Sequence, residues 1–251
     1  MSESKKVNSI VRAVSILKVI SEGTNQLSVI SNKLKLGKGT IHRILKTLEE
    51  TGMVKQDPTN REYFLGPLII SLSASYSIAH SFLFSCCREE MIRLRDFSHE
   101  TVNLQIRMGL LRVCIGEFES LNEIKYIAGT GSVQPIHLGS AGKMLLAEMP
   151  DENLNVLLEH IRFVPVCINT ITNKETMLKE IKKTRKKGYA VSFSERLRGS
   201  ASISVPIRNY PSPVALSILG LENRFDEGAM KRCLNEMLES ASRISNLLAR
   251  K

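Results

Sequence analysis

The sequence predicts an α+β chain: a winged helix-turn-helix over residues 5–66, a linker helix over 67–80, and an α/β domain with a mainly antiparallel sheet over 81–251. Three observations predict it. Residues 27–52 (LSVISNKLKLGKGTIHRILKTLEETG) hold two short amphipathic runs around a tight polar turn. After Gly52 the helical spacing gives way to two strand-like runs around a turn. From Thr101 onward, alternating runs bounded by Gly and Asn are interleaved with helical stretches.

In order, residues 7–22 place Ile10, Val14, Leu17 and Val19-Ile20 at helical spacing and stop at Gly23, a helix with a glycine stop. Val29, Ile30, Leu34 and Leu36 suit a second, short helix. The third has an apolar stripe at Ile41, Ile44, Leu45 and Leu48. Its opposite face carries the donors Lys38, Thr40, His42, Arg43, Lys46 and Thr47, with Gly39 leaving the backbone open. Two such helices, the second with donors at its N-terminal end, suit the major groove of double-stranded DNA, where Arg, Lys and Thr reach base edges and phosphates. The helix-turn-helix is placed at 27–48 and the wing at 53–65, with Asn60 and Arg61 at the wing tip near a phosphate or the minor groove.

Pro67 opens the linker helix, whose apolar and Ser-rich run calls for packing against a second copy. A further helix is expected from about 82 to 99. Strand-like runs follow at 101–109, 110–120 and 124–131, then helices at 139–149, 151–161 and 173–187. The basic run Lys182 to Lys187 before Gly188 reads as a helix C-terminus rather than a second DNA patch. Strands at 189–194, 200–207 and 214–221 and a closing helix at 227–248 complete the domain.

Charge supports the placement of the DNA reader. The net charge is +10, and residues 1–48 alone carry +7. The start, MSESKKVN, is polar with no apolar h-region after it, and no run is long enough to span a membrane, so a cytoplasmic location is expected. Five cysteines without CxxC spacing (Cys86, Cys87, Cys114, Cys167, Cys233) argue for a reducing compartment and against a disulfide framework or zinc finger.

The order of these segments resembles the IclR family of bacterial transcriptional regulators. The resemblance rests on Ser9-Ile10-Val11-Arg12-Ala13, Thr40-Ile41-His42-Arg43-Ile44-Leu45, Tyr63-Phe64-Leu65-Gly66, Pro135-Ile136-His137 with Gly142-Lys143-Met144-Leu145-Leu146-Ala147, and Gly188-Tyr189-Ala190 with Glu195, Gly199 and Pro206. It covers nearly the whole chain. It implies a GAF-like C-terminal domain that binds a small metabolite, with backbone N–H groups of Ser140 and Ala141 and neighbouring Gly142 at a helix N-terminus that suits a carboxylate. It further implies that Ser192, Ser202, Ser217 and Leu219 face the ligand from the strands. The sequence departs from the family where Asp is common at 192, Cys at 202 and Ser at 219, which implies a different effector, larger or less polar. Lys35 stands where the family commonly has Gly, adding a phosphate-contact candidate, and Gly39 where it commonly has Ser. Lys35, Lys38, Gly39, Thr40, His42, Arg43, Lys46 and Arg61 are the candidate DNA contacts.

Enzyme signatures are weak. Gly139-Ser140-Ala141-Gly142 is not a nucleophile elbow, Gly142-Lys143-Met144 lacks the rest of a P-loop, and Gly129-Thr130-Gly131 lacks a dinucleotide fingerprint. His80, Cys86 and Cys87 lack repeated metal-ligand spacing. No catalysis, metal or cofactor is expected. The expected protein is a ligand-responsive regulator, a homodimer or dimer of dimers on a near-palindromic operator. Two alternatives stand beside it: a winged-helix protein whose C-terminal domain only mediates assembly, and a DNA-tethered enzyme using Ser140, His137 and Glu195.

Overall fold

The computed structural model describes residues 6–74 and 76–249, so the N-terminal residues 1–5 and the expected domain limits at 5 and 251 lie outside the described residues. The chain divides into two compact units, one up to residue 75 and one from residue 76.

In the first unit, α1 (Asn8–Ser21), α2 (Leu27–Leu34) and α3 (Lys38–Glu50) pack with the antiparallel hairpin of β1 (Val54–Gln56) and β2 (Tyr63–Leu65). The α3 stripe buries Ile41, Leu45 and Leu48 against Ile16, Ile20 and Ile30. Each such side chain stabilises by about 1.5–3 kcal/mol, so this small core is what holds the helices at fixed angles. Ile10 and Val14 of α1 and Val29 of α2 are exposed, and Ile16 is among the fully buried residues of this core. Gly66 is dictated by contact. A Cβ there would lie 2.2 Å from the Gly52 carbonyl oxygen, while the Gly66 N–H donates to Met53 O at 2.8 Å. The wing exit therefore lies directly against the chain leaving α3.

The single linker helix expected over 67–80 is instead two short helices, α4 (Pro67–Ser73) in the first unit and α5 (Tyr76–Ala79) in the second. Pro67 sits in the first turn of α4 as expected. The Ser71 and Ser73 hydroxyls donate back to the carbonyls of Leu68 and Ile70 (2.8 and 3.1 Å), competing with the helical ladder where α4 ends.

In the second unit, α6 (Ser81–Ser98) precedes β3 (Thr101–Met108), β4 (Leu111–Phe118) and β5 (Val133–Pro135). Helices α7 (Gly139–Ala147), α8 (Asp151–His160) and α9 (Lys174–Lys187) follow, then β6 (Ala190–Phe193), β7 (Ser200–Ile207), β8 (Val214–Leu221) and α10 (Glu227–Ala249). The six strands form one antiparallel sheet in the order β5-β4-β3-β8-β7-β6. Residues 124–131, expected as a strand, are irregular. The Glu117 carboxylate accepts the amides of Ala128 and Gly129 (2.8 and 2.9 Å), and Gly129 and Gly131 take positive φ, which removes this stretch from the ladder. The strand that pairs with β4 on the side away from β3 is β5, from Val133.

The sheet has two different faces. Val102, Leu104, Ile106, Ile203, Val205, Leu216 and Ile218 point to α6 and α10 and form the main core. Thr101, Asn103, Gln105, Ser204 and Ser217 point to the other side, where α7 lies. Behind α7, Leu145, Leu146, Leu154, Leu158, Met177 and Ile181 form a second core with α8 and α9. Arg185 of α9 fastens that layer by donating to Ala147 O and Met149 O (2.8 and 2.6 Å). Gly188 ends α9 with φ of 78°, as the basic run before it foretells. All five cysteines are free thiols. No helix among the described residues is long and apolar enough to cross a membrane.

Two predictions follow from this packing. Gly142 sits where a Cβ would meet the Ile136 carbonyl oxygen at 1.9 Å, so Gly142→Ala should destabilise the second unit by about 3 kcal/mol or more in denaturant unfolding. Glu90 of α6 accepts from Arg243 (2.6 and 3.0 Å), Arg93 (3.0 Å) and Ser240 (2.9 Å), and the Arg243 bond foremost holds its carboxyl down at about 2. A depressed carboxyl stabilises the fold above its ordinary pKa and loses that contribution as pH falls towards 2. Glu90→Gln should therefore cost about 1–2 kcal/mol at pH 7, after solvent screening, and the gap to wild type should close between about pH 5 and pH 2.

Candidate functional site

The first unit offers a solvent-facing row of donors. The turn between α2 and α3 is set by Lys35, which ends α2 in the left-handed region (φ 54°), and by the Ser31 hydroxyl donating to Leu36 O at 2.6 Å. Glycine adopts that conformation most easily, so Lys35 is kept there against a conformational cost. Gly37 opens α3 without a side-chain cap. Thr40 and Ile41 donate their amides to Gly37 O (2.9 and 3.1 Å), which leaves the amides of Lys38 and Gly39 at the helix start, the position that binds phosphate at helix N-termini. Lys38, Gly39, His42, Arg43 and Lys46 are exposed on α3, and Thr40 is half-buried. A side chain at Gly39 would meet nothing within 4 Å, so packing does not demand the glycine. In the wing turn, Asp57 and Asn60 side chains accept the amides of Thr59 (2.7 Å) and Glu62 (2.9 Å), and Arg61 projects outward from a left-handed backbone (φ 60°).

The second unit holds a small polar cavity of about 40 Å³ between the first turn of α7 and the polar face of the sheet. Of the residues expected at an effector, Ser140, Ala141, Ser192, Ser202, Ser217 and Leu219 line it. Gly142 does not. It is turned to the Ile136 carbonyl, and its glycine serves that close approach rather than a ligand. The volume is small, and Ala128, Ala141 and Leu219 are apolar spots on a wall otherwise built mainly of hydroxyls, amides and guanidinium groups.

The wall is hydrogen-bonded through a chain of serines. Ser140 Oγ is 2.7 Å from Ser202 Oγ and 2.8 Å from Ser204 Oγ, which is 2.7 Å from Ser217 Oγ. The Ser140 hydroxyl is therefore spent on the sheet and leaves its backbone N–H as the group open to a ligand. His137 lies apart from it, with Nε2 at 3.5 Å from Val164 O and its ring edge-on to Phe163, so Ser140 has no base beside it. Glu195 is buried with Lys143, whose ammonium donates to it at 2.5 Å. Burial pushes the Glu195 carboxyl up, and the Lys143 charge and the Gly139 amide pull it back.

Sequence reasoning missed Asn103, Gln105, Arg112, Ser132, Gln134 and Arg196, all on the cavity wall. The one available signal was the alternation in TVNLQIRM, which puts Thr101, Asn103 and Gln105 on one side of β3. In a two-layer fold that side faces water. Here α7 covers it, and all three are buried. The metal candidates do not gather. His80 Nδ1 is 2.6 Å from Tyr210 Oη, and among the described residues no group of three or more His, Cys, Asp or Glu could hold an ion.

Both units match family models: residues 9–58 match the IclR helix-turn-helix domain, and residues 77–246 match the bacterial transcriptional regulator IclR C-terminal domain. The chain is 28% identical over 247 residues to the HTH-type transcriptional regulator XynR of Escherichia coli K12, covering 96% of this chain and 97% of that protein. It is 31% identical over 227 residues to the E. coli HTH-type transcriptional repressor AllR, covering 89% and 83%. The crystal structure of Thermotoga maritima IclR superposes with a TM-score of 0.65 at 26% identity, covering 97% of this chain and 99% of that one.

A substitution at Lys35 tests backbone strain and the expected DNA contact together. Lys35→Gly should raise the stability of the first unit by about 0.5–1 kcal/mol in thermal unfolding, by removing the left-handed strain. The same change should weaken DNA binding and lower the salt slope of log K by about one, the mark of a lost phosphate contact.

Proposed function

This chain belongs to the IclR family of bacterial transcriptional regulators, and on that premise we propose that it is a cytoplasmic repressor whose operator binding responds to a small carboxylate held in the second unit. The observation that carries the ligand half of this reading is the partly open polar cavity beneath α7. Protein interiors rarely leave hydroxyls, amides and guanidinium groups around an open space unless a partner completes them. A domain used only for assembly would fill that space with apolar side chains, and this one does not. The sign of regulation is carried over from the relative named a repressor.

The DNA half rests on α3 and the wing. Arg43 and His42 reach base edges from the second turn of α3, Lys35, Lys38 and Lys46 contact phosphates, the α3 amides and Thr40 fix the register, and Arg61 touches the flanking backbone or minor groove. The protein acts as a homodimer or dimer of dimers. Support comes from Val7, Ile10, Val11 and Val14, which form an exposed apolar stripe on and just before α1, and from exposed Ile70 and Leu72 on α4. Two-fold symmetry places two α3 helices about one helical turn of DNA apart and makes the operator near-palindromic. Ligand and operator are coupled reciprocally, so each shifts the affinity of the other by the same factor.

Binding of the purified chain to its own upstream region across a salt series tests this. Wild type should prefer the specific fragment over random DNA, and a small carboxylate should change that affinity. Arg43→Ala should cost about 1–3 kcal/mol and relax sequence preference, whereas Lys46→Ala should weaken all DNA alike. Equal binding of specific and random DNA by wild type would refute the regulator.

A further inference from the structure

The cavity wall holds a buried charge that no neighbouring group neutralises. Arg112 projects from β4 onto the polar face of the sheet and is only 5% exposed. The acceptor that meets it is neutral: Nη1 donates to Gln105 Oε1. Its Nε is buried with no hydrogen-bond partner, and no carboxylate forms an ion pair with Arg112 among the described residues. Burial and then the neighbouring Arg196 charge lower its pKa to about 10, so it stays a cation near neutral pH. The one carboxylate whose charge reaches a guanidinium of this wall is Glu117, and it acts on Arg196 rather than Arg112. Glu117 spends its carboxylate on the amides of Ala128 and Gly129 and on Asn103.

The guanidinium also points at the right place. Arg112 Nη2 lies 4.0 Å, and Ser192 Oγ 3.8 Å, from the position a Cβ on Gly139 would occupy. Gly139 takes φ of 73° at the first turn of α7, so the guanidinium, a hydroxyl and a helix N-terminus face one spot. The helix end by itself is a poor anion site here. Glu195, paired with Lys143, already takes the Gly139 amide, so that amide is not free for an incoming anion. The cation on this wall without a carboxylate partner is Arg112. Size limits the ligand further: about 40 Å³ corresponds to roughly three water positions at about 10–15 Å³ each.

We propose that Arg112 is the residue that recognises the effector, and that the effector is a compact carboxylic acid of a few heavy atoms whose carboxylate docks on the Arg112 guanidinium between Ser192 and the first turn of α7. The assignment rests on the second unit being the effector domain and adds to it the group that reads the ligand. A planar fork of N–H donors matches a carboxylate in two parallel bonds, which a lysine cannot reproduce. Binding also relieves the mutual repulsion of Arg112 and Arg196. The cost of an unpaired buried cation is thus carried by the ligand-free protein and removed by the ligand, so Arg112 should weaken the empty fold.

Thermal shift and calorimetry on the full chain test this with charged and neutral probes of the same shape: acetate against acetamide, and oxalate against oxamide. In wild type at least one acid should bind and raise Tm while its amide does not. Arg112→Met should lose the acid response by tenfold or more, Arg112→Lys should fall between, and the ligand-free Tm of Arg112→Met should equal or exceed that of wild type. Binding of amides as well as acids, an undiminished acid response in Arg112→Met, or a ligand-free Tm several degrees below wild type would each overturn the assignment. The acid and amide comparison needs no variant, so it decides even where a variant folds poorly. Operator binding without ligand reads the regulator separately: if it is specific and no compact acid binds, the Arg112 assignment fails and the DNA-binding regulator stands.

Discussion

The second unit depends on one contact, the seating of the first turn of α7 on the polar face of the sheet. All nine residues of α7 are buried, yet the sheet face beneath its start carries hydroxyls, amides and a guanidinium. Such a surface is stable only if its polar atoms find partners. The Ser202–Ser140–Ser204–Ser217 chain supplies them for the hydroxyls of β7 and β8. The approach is close because Gly142 brings bare backbone against the Ile136 carbonyl. A larger residue there would lift the helix and open the serine chain, so packing and polar satisfaction are two consequences of one geometry.

The same seating explains where charge accumulates. Lys143 points back from α7 to Glu195 and locks the β6–β7 connection against the helix. Breaking such a buried pair on one side leaves an uncompensated ion, which makes the pair a strong positional constraint even where it adds little net stability. Arg112 has no such partner, and the contrast between the two buried cations is informative. One is satisfied within the fold and positions the cavity, while the other is left for something that enters it.

The first unit is organised by different physics. Its core is small and apolar, and its function lies in what stays outside that core. The α3 stripe inward and the Lys38, Gly39, His42, Arg43 and Lys46 row outward follow from helical periodicity alone. Lys35 departs from the conformation its side chain prefers, and it does so at the turn that aims α3. Strain at a position that also presents a cation fits a site where contact with a partner takes precedence over stability.

The sequence by itself determined the elements whose identity depends on near neighbours. The three helices, the wing, the strands at 200–207 and 214–221 and the helix stop at Gly188 are set by spacing, glycine stops and turn chemistry that act within a few residues. Six of the seven residues expected at an effector line the cavity, and they were legible because their positions carry over from a family that the chain resembles. Only the tertiary structure decided the rest. Whether the Asn103 and Gln105 side of β3 faces water or a ligand depends on α7, roughly forty residues further on, and alternation is the same in both cases. The loss of a strand at 124–131 depends on Glu117 capturing two amides. The isolation of Arg112 depends on a neutral amide, Gln105, being the acceptor that meets it and on no carboxylate reaching it, a property of the neighbourhood in three dimensions that no local pattern in a sequence can express.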